Sequence, residues 1–375
     1  MPDPTTEPAS PRSGIDPGAR PGPGRALTPA IEVHLTDQDL RDALEADVYE
    51  GLTAPAKHLP PIYFYDDRGS RLFDEITRLP EYYPTRAERS ILENHAKDIA
   101  ARARATMLIE LGAGTCDKSR VLLDALLAEG SLERFVPLDV SDSTLAAAAA
   151  ALAREYPDVS IHPVVADFHR HLHLLPEGGT RLFAFLGGTI GNLDPEERWT
   201  FLADLRAAMA PQDRVLIGTD LVKDRSDLVH AYDDTAGVTA EFNRNVLRVL
   251  NRELRADFDP ETFEHVALWN EEDSRIEMRL RSAVDQTVHI ADLDLDVTFR
   301  SGEELLTEIS SKFTPTGIEH ELAAAGYGVV EAWRSDGDEF QLTLARPLGS
   351  HAPDRRPPDT GWHGNIGPEP EVAGP

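Results

Sequence analysis

The stretch that most constrains the fold of this chain is residues 107–119, which read MLIELGAGTCDKS. The apolar run into Glu110 is typical of a buried parallel strand, and the two glycines that follow allow a sharp turn in which a ligand can approach bare backbone. The next residues, SRVLLDALLAE, have apolar side chains at helical spacing and stop at Gly130. Strand, glycine loop and helix in this order are typical of the first unit of a nucleotide-binding α/β sheet.

Four further strand patterns follow and alternate with helical patterns. They end at Asp139, at Asp167 and Phe168, in the glycine turn of LGGTIGN, and at Asp220. Because the strands alternate with helices, they predict an α/β fold with a doubly wound, mostly parallel sheet. The C-terminal run YGVVEAWRSDGDEFQLTLARP adds an antiparallel hairpin, which is more typical of methyltransferases than of dehydrogenases.

The alternation is interrupted over residues 222–311. This region contains a polar helical pattern over 230–254, two strand patterns joined by EED, and the strand-like DLDVTF. The segment SGEELLTEIS is predicted to be a helix, because Ser301 and Glu304 are spaced as a capping box. The interruption therefore predicts an α+β insertion in the doubly wound fold.

These patterns divide the chain into four kinds of region. The N-terminal and C-terminal segments are rich in proline and poor in large apolar residues, so they cannot bury enough surface to fold. The predicted organisation is a disordered arm at 1–30, a substrate-binding α+β domain formed by 31–85 and 222–311, a cofactor-binding α/β domain formed by 86–221 and 312–347, and a disordered tail at 348–375.

The charge and composition exclude several classes of partner. A net charge of -29 and a pI near 4.7 argue against nucleic acid, because a phosphate backbone attracts a basic surface. The single cysteine, Cys116, excludes an intrachain disulfide and a multi-cysteine zinc site, and no metal is expected. No apolar run reaches the ~20 residues of a membrane span or resembles a signal peptide. We expect a cytoplasmic monomer that acts on a small molecule and not on a membrane.

The glycine loop indicates which nucleotide the sheet binds. A dinucleotide fingerprint requires a third glycine where GAGTCD has Asp117. A triphosphate loop requires Gly-Lys followed by Ser or Thr after four intervening residues, and that sequence is absent too. Pyrophosphate is therefore disfavoured, and Glu110 at the strand end suits a cationic ligand such as S-adenosylmethionine. Asp139 is placed to accept the two ribose hydroxyls, and Asp167 with Phe168 to bind and cover the adenine. Each aspartate could instead cap a helix, but three strand ends agree on a cofactor site.

The turn GGTIGN after the fourth strand is where the transferred methyl group should emerge. Its glycines allow backbone to approach the sulfonium, and Asn192 offers both an amide donor and a carbonyl acceptor. An Asx turn that caps the next helix is the alternative interpretation of Asn192.

Six blocks spread along the chain carry a family resemblance. In order they are YFYDDRGS, LPEYYPTR, IELGAGTCDKS, LGGTIGN, the segment from AYDD to AEFN, and SRIEM. Together they resemble the histidine-specific N-alpha-methyltransferases of ergothioneine biosynthesis. The resemblance implies a class I methyltransferase fold and three successive transfers from S-adenosylmethionine to the alpha-amine of free L-histidine. The products would be hercynine and S-adenosylhomocysteine, with mono- and dimethylhistidine as intermediates.

The resemblance also implies which residues form the site. The residues implied for the cofactor are Tyr65, Gly112, Lys118, Asp139, Asp167, Phe168 and Gly187. The residues implied for the amino-acid pocket are Tyr82, Asn192, Tyr232, Met278, Glu308 and Ser310. Of these, Tyr82 and Asn192 are expected to act in catalysis, with Tyr82 positioning the amine or a water because a phenol titrates near pH 10.

The implied pocket has a consistent chemistry. Asn192 and Tyr232 are neutral donors for the substrate carboxylate, so no fixed cation need lie beside the sulfonium. Glu308 and Ser310 supply an acceptor and a hydroxyl for the imidazole nitrogens. Residues two apart do not share a helix face, so the predicted helix must end near Glu308 for both to reach one ring. A solvated surface charge is the alternative interpretation of Glu308.

Three other functions are compatible with parts of the pattern. A related enzyme could methylate another amino acid or a small amine, in which case Met278 and Glu308 would be the discriminating positions. A non-catalytic S-adenosylmethionine-binding module is disfavoured by the retained Asn192 and Tyr82. A nicotinamide-dependent enzyme is disfavoured by Asp117 at the glycine position.

Overall fold

The computed structural model of this protein describes residues 29–349. The predictions of a disordered arm at 1–30 and a disordered tail at 348–375 lie outside the described residues, apart from residues 29, 30, 348 and 349. Within the described range, no helix is long and apolar enough to cross a membrane.

The described residues form helices and strands with the following bounds. The helices are α1 (Asp37–Thr53), α2 (Asp67–Ile76), α3 (Pro84–Ala103), α4 (Ser119–Ala128), α5 (Asp142–Glu155), α6 (Pro195–Ala208), α7 (Arg225–His230), α8 (Val238–Glu253) and α9 (Pro315–Ala324). The strands are β1 (Glu32–Val33), β2 (Met107–Leu111), β3 (Arg134–Asp139), β4 (Ser160–Ile161), β5 (Val164–Val165), β6 (Arg181–Phe185), β7 (Arg214–Asp220), β8 (Phe263–Asn270), β9 (Arg275–Ser282), β10 (Gln286–Ile290), β11 (Leu295–Phe299), β12 (Glu304–Ser311), β13 (Tyr327–Arg334) and β14 (Phe340–Pro347).

The main sheet confirms the predicted doubly wound α/β fold. Its strand order is β1-β5-β3-β2-β6-β7-β14-β13, and β4 pairs with β3 beside this path. The pairs from β1 to β7 are parallel, whereas β14 runs antiparallel to β7 and to β13. The predicted terminal hairpin is therefore inserted with its second strand next to β7. The predicted third strand is split into β4 and β5, which flank Pro163, a residue that cannot donate to a ladder.

Helices cover both faces of this sheet, which explains the continuous apolar strands. All five residues of β2 are buried, and successive side chains pack into different cores. Leu108 belongs to the core that contains α3 and α4, and Ile109 to the core that contains α6 and α9. The strand ladder thus holds the glycine loop between two packed layers, at the carboxyl edge of the sheet.

The inserted region forms a second, antiparallel sheet in the order β12-β9-β8, with β10 and β11 as a separate hairpin. The predicted helix over residues 230–254 is partly wrong. The helix α8 begins only at Val238, because residues 231–237 form a turn that ends at Gly237 with a positive φ of 76°. Residues 31–85 pack beside this sheet, where Leu59 N donates to Leu306 O at 2.9 Å.

The predicted helix over residues 301–310 is wrong, since Glu304–Ser311 is the strand β12. The side chain of Glu303 accepts a hydrogen bond from Arg300 N at 2.9 Å, and Gly302 has a φ of 87°. These contacts make a turn where the capping box was expected. The strand then pairs with β9 from Glu304 to Ser311, with a bulge at Thr307. The ladder with β9 outweighs the helical propensity of the sequence EELL.

Candidate active site

A cleft of about 2110 Å³ separates the carboxyl edge of the main sheet from the second sheet. The ends of β2, β3, β5, β6 and β7 open into it from one side, and β12 lines it from the other. The predicted site residues that line this cleft are Tyr65, Tyr82, Gly112, Lys118, Asp139, Asp167, Phe168, Gly187, Asn192, Tyr232, Glu308 and Ser310. The structure therefore brings together residues that are up to 245 positions apart in the chain.

The glycine loop is held open by the end of β3. Gly112 and Gly114 have φ values of 71° and 51°, and a Cβ atom on either would meet no atom within 4 Å. The Asp139 carboxylate accepts hydrogen bonds from Gly114 N at 2.8 Å and from Ser141 N at 2.9 Å. Asp139 thus fixes the loop against the start of α5, and each of its oxygens keeps a lone pair for a ligand.

The next strand end provides a carboxylate beside an anchored aromatic ring. Asp167 accepts a hydrogen bond from His169 N at 2.8 Å. The Phe168 ring packs edge-on against Phe185 and Phe201, at centroid distances of 5.2 and 5.6 Å. An open glycine loop, a carboxylate at the second strand end and an aromatic ring at the third suit the hydroxyls and the adenine of S-adenosylmethionine.

Lys118 and Gly187 share a partner that sequence reasoning missed. Glu88 on α3 has no exposed surface, and its carboxylate forms an ion pair with Lys118 Nζ. The same carboxylate accepts from Gly187 N at 2.8 and 3.0 Å. The N–H of Gly187 is therefore used inside the protein, which leaves its carbonyl for a ligand. No sequence signal marks Glu88, because one carboxylate on an amphipathic helix resembles any other.

Glu110, which the sequence assigns to the strand end, is buried directly behind the loop. It is 3% exposed and accepts a hydrogen bond from the Ser119 hydroxyl. Burial raises the pKa of Glu110 to about 7, although the bond from Ser119 and the charge of Lys118 oppose this shift. At neutral pH this carboxyl can therefore hold or release a proton beside the loop.

Asn192 links the turn after β6 to the strand β12. Its side-chain nitrogen donates to Glu308 Oε1 at 3.0 Å and to Ile309 O at 2.9 Å. Since an amide nitrogen carries two hydrogens, both donors are used, and only the carbonyl oxygen remains for a ligand. This orientation differs from the prediction that Asn192 donates to the substrate carboxylate. The oxygen suits an ammonium group or an amine hydrogen instead.

Glu308 and Ser310 both face the cleft because they are alternate residues of one strand. Residues two apart on a strand share a face, so both side chains can reach one imidazole ring, whereas residues two apart on a helix could not. Removal from bulk water raises the pKa of Glu308 to about 7, against the opposing effects of the Asn192 hydrogen bond and the Lys312 charge. The alternative interpretation of Glu308 as a solvated surface charge does not fit this position.

A buried lysine lies behind the hydroxyl groups of the pocket. Tyr232 Oη and Ser310 Oγ are 2.8 Å apart, and Lys312 Nζ donates to them at 2.9 and 2.8 Å. Lys312 has a fully buried side chain and pairs with Asp220 Oδ2 at 2.9 Å. The expectation that the pocket needs no fixed cation is therefore incomplete, because the Lys312 ammonium contacts two pocket residues. Asp220 balances the charge of this ammonium. Strand periodicity would have placed Lys312 on the same face as Glu308 and Ser310.

Aromatic rings form one wall of the cleft. The Tyr82 ring packs edge-on against Tyr232 and Phe73, both at 6.2 Å between centroids, and Tyr65 packs edge-on against Phe73 at 5.6 Å. Burial, followed by the neighbouring Tyr232 and Glu308, raises the pKa of Tyr82 well above its usual value. Tyr82 is therefore a neutral phenol at physiological pH, and such a wall favours cationic groups.

Met278 is the predicted site residue that does not line the cleft. It pairs with Glu308 across the β9–β12 ladder, but it is 2% exposed and belongs to the apolar core. It supports the strand on which Glu308 lies.

Among residues 29–349, no His, Cys, Asp and Glu side chains are grouped so that they could hold a metal ion.

Comparison with known proteins places this chain in a family. A family model described as histidine-specific methyltransferase, SAM-dependent, matches residues 44–347. The chain is 55% identical over 316 residues to histidine N-alpha-methyltransferase of Mycobacterium tuberculosis, covering 84% of this chain and 98% of that protein. It is 52% identical over 319 residues to histidine N-alpha-methyltransferase of Mycolicibacterium smegmatis, covering 85% and 99%. Ergothioneine biosynthesis protein 1 of Neurospora crassa is 28% identical over 359 residues, covering 91% of this chain and 40% of that protein.

Proposed function

The chain belongs to the S-adenosylmethionine-dependent, histidine-specific methyltransferases, and we propose that it transfers methyl groups to the alpha-amine of free L-histidine in ergothioneine biosynthesis. The observation that carries this proposal is the cleft in which the cofactor strand ends face Glu308 and Ser310 on one strand. Three successive transfers, through mono- and dimethylhistidine, would give hercynine and three molecules of S-adenosylhomocysteine.

The two sides of the cleft have different proposed ligands. We propose that residues 86–221 and 312–347 bind the cofactor through the strand ends, and that 31–85 and 222–311 bind histidine. Tyr65, from the second of these regions, would also contact the cofactor. The cofactor residues would be Gly112, Lys118, Asp139, Asp167, Phe168 and the carbonyl of Gly187. When bound, S-adenosylmethionine supplies a methyl group on a cationic sulfonium.

Recognition of the imidazole ring depends on two groups of opposite hydrogen-bonding character. Glu308 accepts from the ring N–H, and the Ser310 hydroxyl donates to the other ring nitrogen. An apolar side chain of similar size would leave both groups unpaired, at a cost of about 1–3 kcal/mol for each buried polar group. This pairing explains why a strand, which presents Glu308 and Ser310 side by side, is suited to the task.

The protein must also hold the amine with its lone pair free. The carbonyl oxygen of Asn192 and the hydroxyl oxygen of Tyr82 are acceptors on the cleft wall, and each can orient an amine hydrogen. The raised pKa of Tyr82 keeps its phenol protonated at neutral pH, so it cannot take a proton from the amine. The pKa of Glu308, by contrast, is about 7. Alignment of the amine and exclusion of water then supply most of the acceleration.

The test is mass spectrometry of L-histidine incubated with the purified full-length protein and S-adenosylmethionine. We expect products that carry one, two and three added methyl groups, with the trimethyl product accumulating. L-Phenylalanine and L-tryptophan serve as matched substrates that lack the imidazole ring. Protein that binds S-adenosylhomocysteine but leaves histidine unmethylated would disprove the proposal, and equal rates on all three amino acids would disprove the specificity.

A further inference from the structure

The buried ammonium group of Lys312 has three acceptors around it, one for each of its hydrogens. A lysine ammonium carries three hydrogens. Lys312 Nζ lies 2.9 Å from Tyr232 Oη, 2.8 Å from Ser310 Oγ and 2.9 Å from Asp220 Oδ2. Each hydrogen therefore has one acceptor, and both hydroxyl oxygens of the pocket receive a hydrogen bond from behind.

The hydroxyl hydrogens can be counted in the same way. Tyr232 and Ser310 carry one hydroxyl hydrogen each, and one of the two lies in the 2.8 Å contact between their oxygens. The other hydroxyl hydrogen lies outside this contact. Because Lys312 already donates to both oxygens, the shared hydrogen can turn away without leaving either oxygen unpaired. Both hydroxyls can then donate into the cleft at once.

The charges around Asp220 favour this orientation. Lys223 Nζ lies 2.5 Å from Asp220 Oδ1, and Tyr83 donates to the same carboxylate at 2.8 and 2.9 Å. Burial by itself would raise the pKa of Asp220, but the ammonium groups of Lys312 and Lys223 outweigh it and the pKa is lowered. Lys312 and Lys223 thus pair with the same carboxylate. Because the Lys312 ammonium contacts both hydroxyl oxygens, it directs their hydrogens away from itself and toward the cleft.

We propose that Lys312 is a positioning residue that makes Tyr232 and Ser310 donate to the substrate at the same time. The inference rests on the proposed function, since it concerns how that pocket holds histidine. A pair of donors requires two acceptors on the ligand. Histidine with a neutral imidazole ring provides two such acceptors, which are a carboxylate oxygen and the unprotonated ring nitrogen. Strand periodicity can place Lys312 beside Ser310, but its pairing with Asp220 depends on β12 and β7 meeting, where Phe313 N donates to Asp220 O at 2.8 Å.

The chain offers a matched pair of variants for the test. Lys312→Met removes the donor to the hydroxyls but leaves Asp220 paired with Lys223, so the buried carboxylate keeps a cationic partner. Lys223→Met removes the other lysine from the same carboxylate but touches neither hydroxyl. A general effect of the buried cluster would appear in both variants, whereas a positioning effect appears only in the first.

The measurement is calorimetric titration of L-histidine into full-length protein saturated with S-adenosylhomocysteine. We expect Lys312→Met to weaken histidine binding roughly tenfold or more, with S-adenosylhomocysteine binding unchanged. Lys223→Met should stay within about twofold of wild type. In a background that carries Tyr232→Phe and Ser310→Ala, Lys312→Met should cost little, because the hydroxyls through which it acts are absent.

Three outcomes would overturn the inference: wild-type affinity in Lys312→Met, an equal loss in Lys223→Met, or an undiminished effect in the background without hydroxyls. If Lys312→Met loses its cooperative melting transition, Lys312→Gln keeps a polar group there and replaces it in the same series. Wild-type protein that neither binds nor methylates histidine would instead disprove the proposed function. Wild-type activity with unimpaired Lys312 variants would disprove this inference alone.

Discussion

Asn192 donates a hydrogen bond of 3.0 Å to Glu308, which joins the turn after β6 to the strand β12. A second bond, from the same nitrogen to Ile309 O at 2.9 Å, fixes the amide so that its carbonyl oxygen is free. The contact therefore couples the two sides of the cleft. It also places Glu308, which we propose recognises the acceptor, next to the turn where we expect the methyl group to emerge.

Glu308→Ala should remove the preference for an imidazole ring. Histidine binding is expected to weaken by roughly tenfold or more, because the ring N–H loses its acceptor. Calorimetry with L-histidine, and turnover with L-phenylalanine as the competing substrate, measure the change. Glu319→Ala, an exposed glutamate on α9, is the control and should bind histidine normally. Wild-type histidine affinity in Glu308→Ala would contradict the assigned role.

Glu308→Gln should stabilise the ligand-free protein, and more so at higher pH. The pKa of Glu308 is raised from 4.5 to about 7, so the folded state keeps a proton that the unfolded chain has released between these values. Stability is therefore lost as pH rises through this window, and the glutamine variant avoids the loss. The gain should reach on the order of 2–3 kcal/mol at about pH 8 and shrink toward about pH 5. Urea unfolding at both pH values measures it, and a gain that does not depend on pH would refute the argument.

Tyr82→Phe should slow methyl transfer without abolishing it. The buried phenol is neutral, so it orients the amine and does not act as the base. Loss of one orienting hydrogen bond is expected to lower kcat roughly tenfold and to change cofactor binding little. Single-turnover kinetics with histidine would measure this effect, with the exposed Tyr49→Phe as the control. Complete inactivity in a folded Tyr82→Phe variant would mean that the hydroxyl does more than orient.

Glu88→Gln should weaken binding of S-adenosylhomocysteine although Glu88 itself is fully buried. The carboxylate holds both Lys118 and Gly187 N, and a neutral amide can no longer balance the lysine. We expect roughly tenfold weaker binding and a loss of about 1–3 kcal/mol in the free energy of unfolding. Calorimetry and urea unfolding measure the two effects. Glu93→Gln, an exposed change on the same helix, should alter neither, and unchanged binding in Glu88→Gln would exclude this indirect role.

Two errors in the sequence-based prediction concern secondary structure. The segment SGEELLTEIS has the local composition of a capped helix, yet it pairs with β9 because a ladder partner lies 23 to 36 residues earlier in the chain. Residues 231–237 were similarly included in a helix that begins only at Val238. In both places a long-range contact or a backbone turn outweighs a local propensity. The wrong helix hid Lys312, which strand periodicity places beside Ser310.

The amino-acid sequence alone predicts the doubly wound fold, the glycine loop, the acidic strand ends and the membership of a methyltransferase family. These are local patterns, in which each residue's neighbours in the chain carry the signal. The folded structure was needed to show that Glu88 holds both Lys118 and Gly187, that Asn192 turns its oxygen to the cleft, and that Lys312 lies between Asp220 and two hydroxyls. Such arrangements depend on which buried donors and acceptors meet across elements that are distant in sequence, and burial then makes each of those pairings costly to break.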